Sequence, residues 1–436
     1  MREIDSLKTS IGSSNRNLFR SMAVAMGLML SPESLVLLGN SVGTVGLPFM
    51  FLLLLAAGAH LSTAFSYGIL YRRFPGAGGE ARCLSEALGT TTAFVFPICS
   101  RFFLALCGIT GILATAGYVF NEVFIHSFPN LGFSFCLLTF LFLINLISRR
   151  LSEIAQFIFV GLTFLGLLSL AVIGLLHLGN APSNDWTSPQ MTTSVARTVS
   201  LGLLPFVGFD LARFAGKEDT LKAEVFSKST MQGILGAAFL FFLWGLVSAQ
   251  YVPLERLSDT TVPHMVTARA IWGETGRVWM GVILLASACG ASNILLFGVS
   301  RMITAMGEER ILPAFFTRLP YRPLFPLLLL VTGVAATMGL GAAGSPALNT
   351  LIRAGFLFWL LNYAVVHLSI LRLRIQGPNW AIPVIGLLAS LSGFVGIVAT
   401  DDHPGFLLKW MSIIFVFASF LGFLWNRLCR GMPRQR

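Results

Sequence analysis

The chain has 436 residues, of which 55% are hydrophobic and only 11% are charged, against roughly 25% charged in a soluble domain. A mean hydropathy of +0.78 places it in a lipid bilayer and leaves no room for a large water-soluble domain. The formal net charge of +11 does not indicate nucleic acid, because the basic residues are scattered between apolar segments instead of gathered on one face.

In chain order, residues 1–19 are polar and read as a cytoplasmic tail. The first apolar segment lacks a small-residue cleavage site after it, so it reads as an uncleaved span. Apolar segments predict spans at 20–40, 46–71, 93–120, 131–148, 153–178, 196–214, 229–251, 278–306, 324–342, 350–371, 381–399 and 406–426. That is an all-α polytopic membrane protein of about twelve transmembrane helices, ending in a cytoplasmic tail at 427–436. Between the spans, residues 262–272 read as a short external surface helix and residues 216–228 as a charged cytoplasmic one.

Lysine and arginine accumulate on the cytoplasmic side of correctly placed spans. With the N-terminus inside, only Arg197, Arg256, Arg269, Arg277, Arg353 and Lys409 fall outside, Arg101 lies within a span, and all other basic residues fall inside. This roughly fourfold excess predicts an even number of spans with both termini cytoplasmic. The absence of an Asn-x-Ser/Thr sequon favours a bacterial source, hence the inner membrane. The six cysteines show no Cys-x-x-Cys spacing and no pair in an external loop, so neither a metal site nor a disulfide framework is indicated.

Three segments carry more than hydropathy. Tyr71–Gly89, YRRFPGAGGEARCLSEALG, places Gly76, Gly78 and Gly79 where a re-entering loop needs tight backbone. Leu203–Asp219, LLPFVGFDLARFAGKED, interrupts a span with Pro205 and Gly208. Ser300–Pro313, SRMITAMGEERILP, ends a span in a charged turn. Together, and with the leucine and arginine tail of Arg353–Arg374, these resemble the loop after the second span, the sixth span, the eighth-span exit and the tenth-span end of the amino acid, polyamine and organocation permease superfamily.

That resemblance implies two inverted five-helix repeats, spans one to five over 20–178 and six to ten over 196–371, with two peripheral helices over 381–426. The first and sixth helices of such folds are broken near the bilayer midplane, freeing backbone groups for substrate and ions. The sequence agrees, since Ser31-Pro32-Glu33-Ser34 interrupts the first span as Pro205 and Gly208 interrupt the sixth. The expected function is secondary active transport of an amino acid or related small amine by alternating access, coupled to protons or sodium or run as exchange. A nutrient sensor or a channel-like facilitator on the same fold is the alternative. No enzymatic role is expected, because the intramembrane ionisable groups do not form an acid, base and nucleophile set. No cofactor is expected beyond a coupling Na+ or H+; the partners are the small-molecule substrate and the lipid bilayer.

Candidate substrate contacts are Ser31, Glu33, Ser34, Arg101, Phe206, Gly208 and Phe209. A carboxylate at midspan costs roughly 2.5–3.5 kcal/mol on insertion scales and seldom persists without a cavity or partner. The resemblance implies bare amides in the first-span turn to receive a substrate carboxylate, whereas this chain offers Pro32, which has no N–H, and Glu33. Glu33 facing a pocket suits an ammonium, or titrates as a proton carrier. Arg101 either neutralises Glu33, grips a substrate carboxylate, or snorkels to the surface. Coupling or gating candidates are Glu33, Asp210, Ser287, Ser292 and Asn293, the last three placed to face an ion at the first-span break. Thr163 stands where some proton-coupled relatives carry a lysine, and His60, His177 and His367 are isolated intramembrane histidines.

Overall fold

The computed structural model describes residues 17–46, 48–177, 202–215, 222–313, 324–375 and 377–429. Its helices are α1 (Asn17–Met29), α2 (Pro32–Val45), α3 (Pro48–Arg73) and α4 (Gly79–Leu88). There follow α5 (Thr90–Val123), α6 (Asn130–Ile147), α7 (Arg149–Leu176), α8 (Ala223–Tyr251), α9 (Leu254–Asp259) and α10 (Pro263–Glu308). The chain closes with α11 (Leu324–Gly339), α12 (Pro346–Leu373), α13 (Ala381–Ala399) and α14 (Pro404–Cys429).

Among the described residues, nine helices are long and apolar enough to cross a membrane, or up to ten if the bent pair α1 and α2 is one span. The protein is therefore an all-α polytopic membrane protein. The other two predicted spans are 196–214, whose first residues lie outside those described, and 324–342, where α11 is helical over only 16 residues. The predicted surface helix at 262–272 is the first part of α10, set off from the span by non-helical Trp272 and by Gly273 at φ 58°. Of the predicted cytoplasmic helix, residues 216–221 lie outside those described, and 223–228 are simply the first turns of α8.

Helix α10 is the centre of the bundle. Its apolar window is 89% buried, against 28% for α13 and 22% for α6 and α14, which present leucine and phenylalanine outward as lipid-facing helices do. The interruptions have local causes. Proline restricts the residue before it to extended backbone, and Ser31 is accordingly extended at φ −67°, ψ 157°. Pro32 also has no N–H to continue the ladder, so α1 and α2 diverge by 58°. In α5, Pro97 falls within the span and the misfit is absorbed by a π turn over Ile98–Phe102, which turns Arg101 into the bundle. Residues 204–214 form two short 3-10 turns, Leu204–Phe206 and Phe209–Phe214, hinged on Gly208 at φ +102°.

Candidate functional site

Two interrupted segments meet in the middle of the bundle. A Cβ on Gly208 would lie 2.6 Å from Leu28 Cδ2 at the end of α1, so the hinge of 204–214 packs directly on the α1–α2 break. Only glycine fits there, on grounds of both backbone conformation and space.

Beside the break, Glu33 borders a cavity of about 10 Å³ lined by Leu28, Ser31, Leu104, Gly108, Ile112, Leu295, Ile352 and Phe356. That is at or below the roughly 10–15 Å³ needed to admit one water, so the site is collapsed in this conformation. Glu33 is half-buried, and its Oε2 is shut off from solvent without a hydrogen-bond partner. Ser31 caps α2 by accepting from the Ser34 N–H at 3.3 Å, and its hydroxyl also lies 3.1 Å from the Ser34 hydroxyl. These two serines hold the turn that aims Glu33.

Arg101 neither meets Glu33 nor reaches the surface. It is 1% exposed and is consumed by two other acids. Its Nη1 and Nη2 donate to Glu80 Oε1 and Oε2, both at 2.9 Å, while Nε donates to Asp210 Oδ2 at 2.7 Å and Nη2 to Tyr67 Oη at 3.1 Å. Asp210 is further held by Trp359 Nε1 at 3.0 Å and Tyr363 Oη at 2.6 Å. Glu80 accepts from Asn362 Nδ2 at 2.9 Å. The Tyr363 hydroxyl also accepts from the Gly208 N–H at 3.1 Å, which ties the cluster to the hinge. The cluster thus binds α3, α4, α5, α12 and the 204–214 segment together, with Arg101 stacked 5.4 Å over Trp359.

The glycine loop explains how Glu80 arrives there. Gly76 takes φ +94°, and a Cβ on Gly79 would lie 2.1 Å from the Phe74 carbonyl, so the chain doubles back and starts α4 inside the bundle. Arg213 Nε fixes the loop by donating to the Gly76 carbonyl at 3.1 Å.

Phe206 and Phe209 do not line the Glu33 cavity. Phe206 packs on His60 and Phe241, and Phe209 stacks on Tyr363 at 5.4 Å, so both shape the seam between α3 and α12. On α10, Ser287 alone of the three polar candidates reaches the break, donating to the Leu30 carbonyl. Ser292 is buried without a partner. Asn293 faces the other way, accepting from Asn145 at 2.8 Å and donating to Gln156 Oε1 at 2.8 Å and to the Ser152 carbonyl at 3.3 Å. Thr163 donates to its own helix at Phe159. His60 is held by the Ala56 carbonyl, His367 lies 3.1 Å from Thr63 Oγ1, and His177 bonds the last turn of α7.

Sequence reasoning missed Glu80, Tyr67, Trp359, Asn362 and Tyr363. It also missed Glu153, a buried acid with Arg149 at 3.1 Å, Arg20 at 3.7 Å and Arg301 at 3.9 Å. The available signal for Glu80 was its place directly after the Gly78-Gly79 pair; for Asn362 and Tyr363 it was polarity in the middle of an apolar helix.

The family model described as amino acid permease matches residues 17–429. The chain is 21% identical over 269 residues to the low-affinity putrescine importer PlaP of Escherichia coli (strain K12), covering 59% of each chain. It is 23% identical over 366 residues to a putative amino-acid transporter of Methanocaldococcus jannaschii, covering 83% of this chain and 89% of the relative. It is 22% identical over 302 residues to the amino-acid permease RocC of Bacillus subtilis (strain 168), covering 66% and 62%. The alignment to the putrescine importer spans about three fifths of that relative's length.

Proposed function

Because this chain belongs to the amino acid permease family, we propose that it is a secondary active transporter moving an amino acid or related small amine by alternating access. The observation that carries this reading is the meeting of the α1–α2 break with the Gly208 hinge at the bundle centre, beside Glu33, whose Oε2 is buried without a hydrogen-bond partner. In this account residues 20–178 and 196–371 are inverted repeats that rock about the site, both termini face the cytoplasm, and the membrane is a bacterial inner membrane. Ser31, Glu33 and Ser34 form the substrate turn. The Arg101 cluster, with Asp210 at its centre, latches one side of the site and must rearrange for that side to open.

For coupling, Ser287 already donates to the Leu30 carbonyl, the atom that a sodium ion at this seam would take, and Asn293 is engaged elsewhere. Coupling to protons, coupling to sodium and exchange are distinguished by the pH and sodium dependence of the flux. Reconstituted liposomes loaded with unlabelled amine or amino acid test the reading. A carrier gives transient counterflow of radiolabelled substrate above equilibrium; a channel-like facilitator gives monotonic equilibration, and a sensor gives neither.

A further inference from the structure

The Glu33 cavity carries information about the chemistry of its ligand, given the reading above that it is the transport site. Apart from Glu33 and Ser31, every residue lining it is hydrocarbon or glycine. A buried carboxylate oxygen without a donor is a costly arrangement, relieved when a cation or donor fills it.

Arg101 and several amides at the two breaks are already engaged and do not receive a substrate carboxylate. The Arg101 guanidinium is divided among Glu80, Asp210 and Tyr67. At the α2 end, Pro32 has no N–H, the Ser34 N–H is taken by the Ser31 hydroxyl, and the Leu35 N–H returns to the Ser31 carbonyl. At the other break, the Gly208 N–H is taken by Tyr363. A second ammonium fares no better, since beyond Glu33 the cavity offers Gly108, Ile112, Ile352 and Phe356 and no second carboxylate.

We propose that the ligand is a single organic ammonium with an apolar body, lacking both a carboxylate and a second charge, which enters when the collapsed cavity opens in the transport cycle and then sets its head on Glu33 and its chain along Gly108, Ile112, Ile352 and Phe356. This separates the chain from amino acids and from diamines alike. Three probes isolate the two differences. In n-pentylamine the ammonium carries a plain hydrocarbon chain; norleucine adds a carboxylate beside the ammonium; putrescine puts a second ammonium where the terminal methyl stands.

Isothermal titration of the purified full chain is expected to show n-pentylamine binding at least about a hundredfold more tightly than norleucine or putrescine, each of which would bury an unpaired charge. Glu33→Gln removes n-pentylamine binding. Gly108→Ala keeps its ligand-free stability, because the added methyl lies no closer than 3.6 Å to Leu104 Cδ1, yet it takes space from the ligand's chain in the opened site and weakens n-pentylamine about tenfold. Norleucine or putrescine binding as tightly as n-pentylamine overturns the proposal, as does binding of none of the three. Counterflow in liposomes separates the two levels. Counterflow of norleucine but not n-pentylamine overturns the ligand class and leaves carrier function standing; tight n-pentylamine binding without counterflow of any probe does the reverse.

Discussion

Replacing Arg101 by methionine removes a guanidinium that makes contacts of 2.6–2.9 Å to two buried acids, Glu80 at 8% and Asp210 at 2% exposure. The native cluster holds two carboxylates and one guanidinium; the variant holds two carboxylates with no cation. Removing one partner of a buried pair costs roughly 3–5 kcal/mol, and leaving two acids unneutralised puts this case at the upper end. The loss stops there because Asp210 keeps Trp359 and Tyr363 as donors and Glu80 keeps Asn362. Asp210→Asn is milder, since it brings the cluster to neutrality and its amide oxygen still accepts from Tyr363 and Trp359. Equilibrium unfolding in mixed micelles, run as a double-mutant cycle, is expected to rank Arg101→Met well above Asp210→Asn, with a coupling of at least about 2 kcal/mol between the sites. An Arg101→Met cost below about 1 kcal/mol, or a larger cost for Asp210→Asn, would refute the assignment of Arg101 as the cation that holds the cluster together.

Glu33→Gln keeps the fold and abolishes uptake, read as radiolabelled flux at equal protein density; full activity would remove Glu33 from the site. Gly208→Ala forces a side chain into φ +102° and against Leu28, for a loss of roughly 2–4 kcal/mol by unfolding; a neutral result would mean the two breaks do not pack. Glu153→Gln removes the acid shared by the part-exposed Arg20 and Arg149, so its destabilisation, read by equilibrium unfolding, should shrink as salt is raised and screens their mutual repulsion. Asp401→Asn breaks a pair whose Arg353 is half exposed, and should change stability by no more than about 1 kcal/mol.

Much of the fold was legible because lipid demands long apolar helices, and both breaks were marked by Pro32, Pro205 and Gly208. The Glu33 turn was legible for the same reason: a carboxylate stands out in a hydrocarbon segment. The partner of Arg101 was not. Glu80 sits in a polar loop where an acid looks solvated, and only the Gly76–Gly79 turn folds it into the bundle. The partners of Asp210 were hidden too, because its bonds to Trp359 and Tyr363 join residues 149 and 153 positions apart, a pairing no local pattern encodes. The orientation of Asn293 was not legible either, because the helix face it occupies turns it to α6 and α7.

The central claim is that Glu33 serves the ligand whereas the Arg101 cluster serves the latch. Binding isotherms for n-pentylamine, norleucine and putrescine, measured on Glu33→Gln and Arg101→Lys side by side with the parent chain, separate the two roles most directly. The account predicts that Glu33→Gln loses the binding while keeping parental stability, and that Arg101→Lys keeps affinity within about threefold while losing stability, since a lysine point charge cannot fork between Glu80 and Asp210. Retained binding in Glu33→Gln together with lost binding in Arg101→Lys would contradict it.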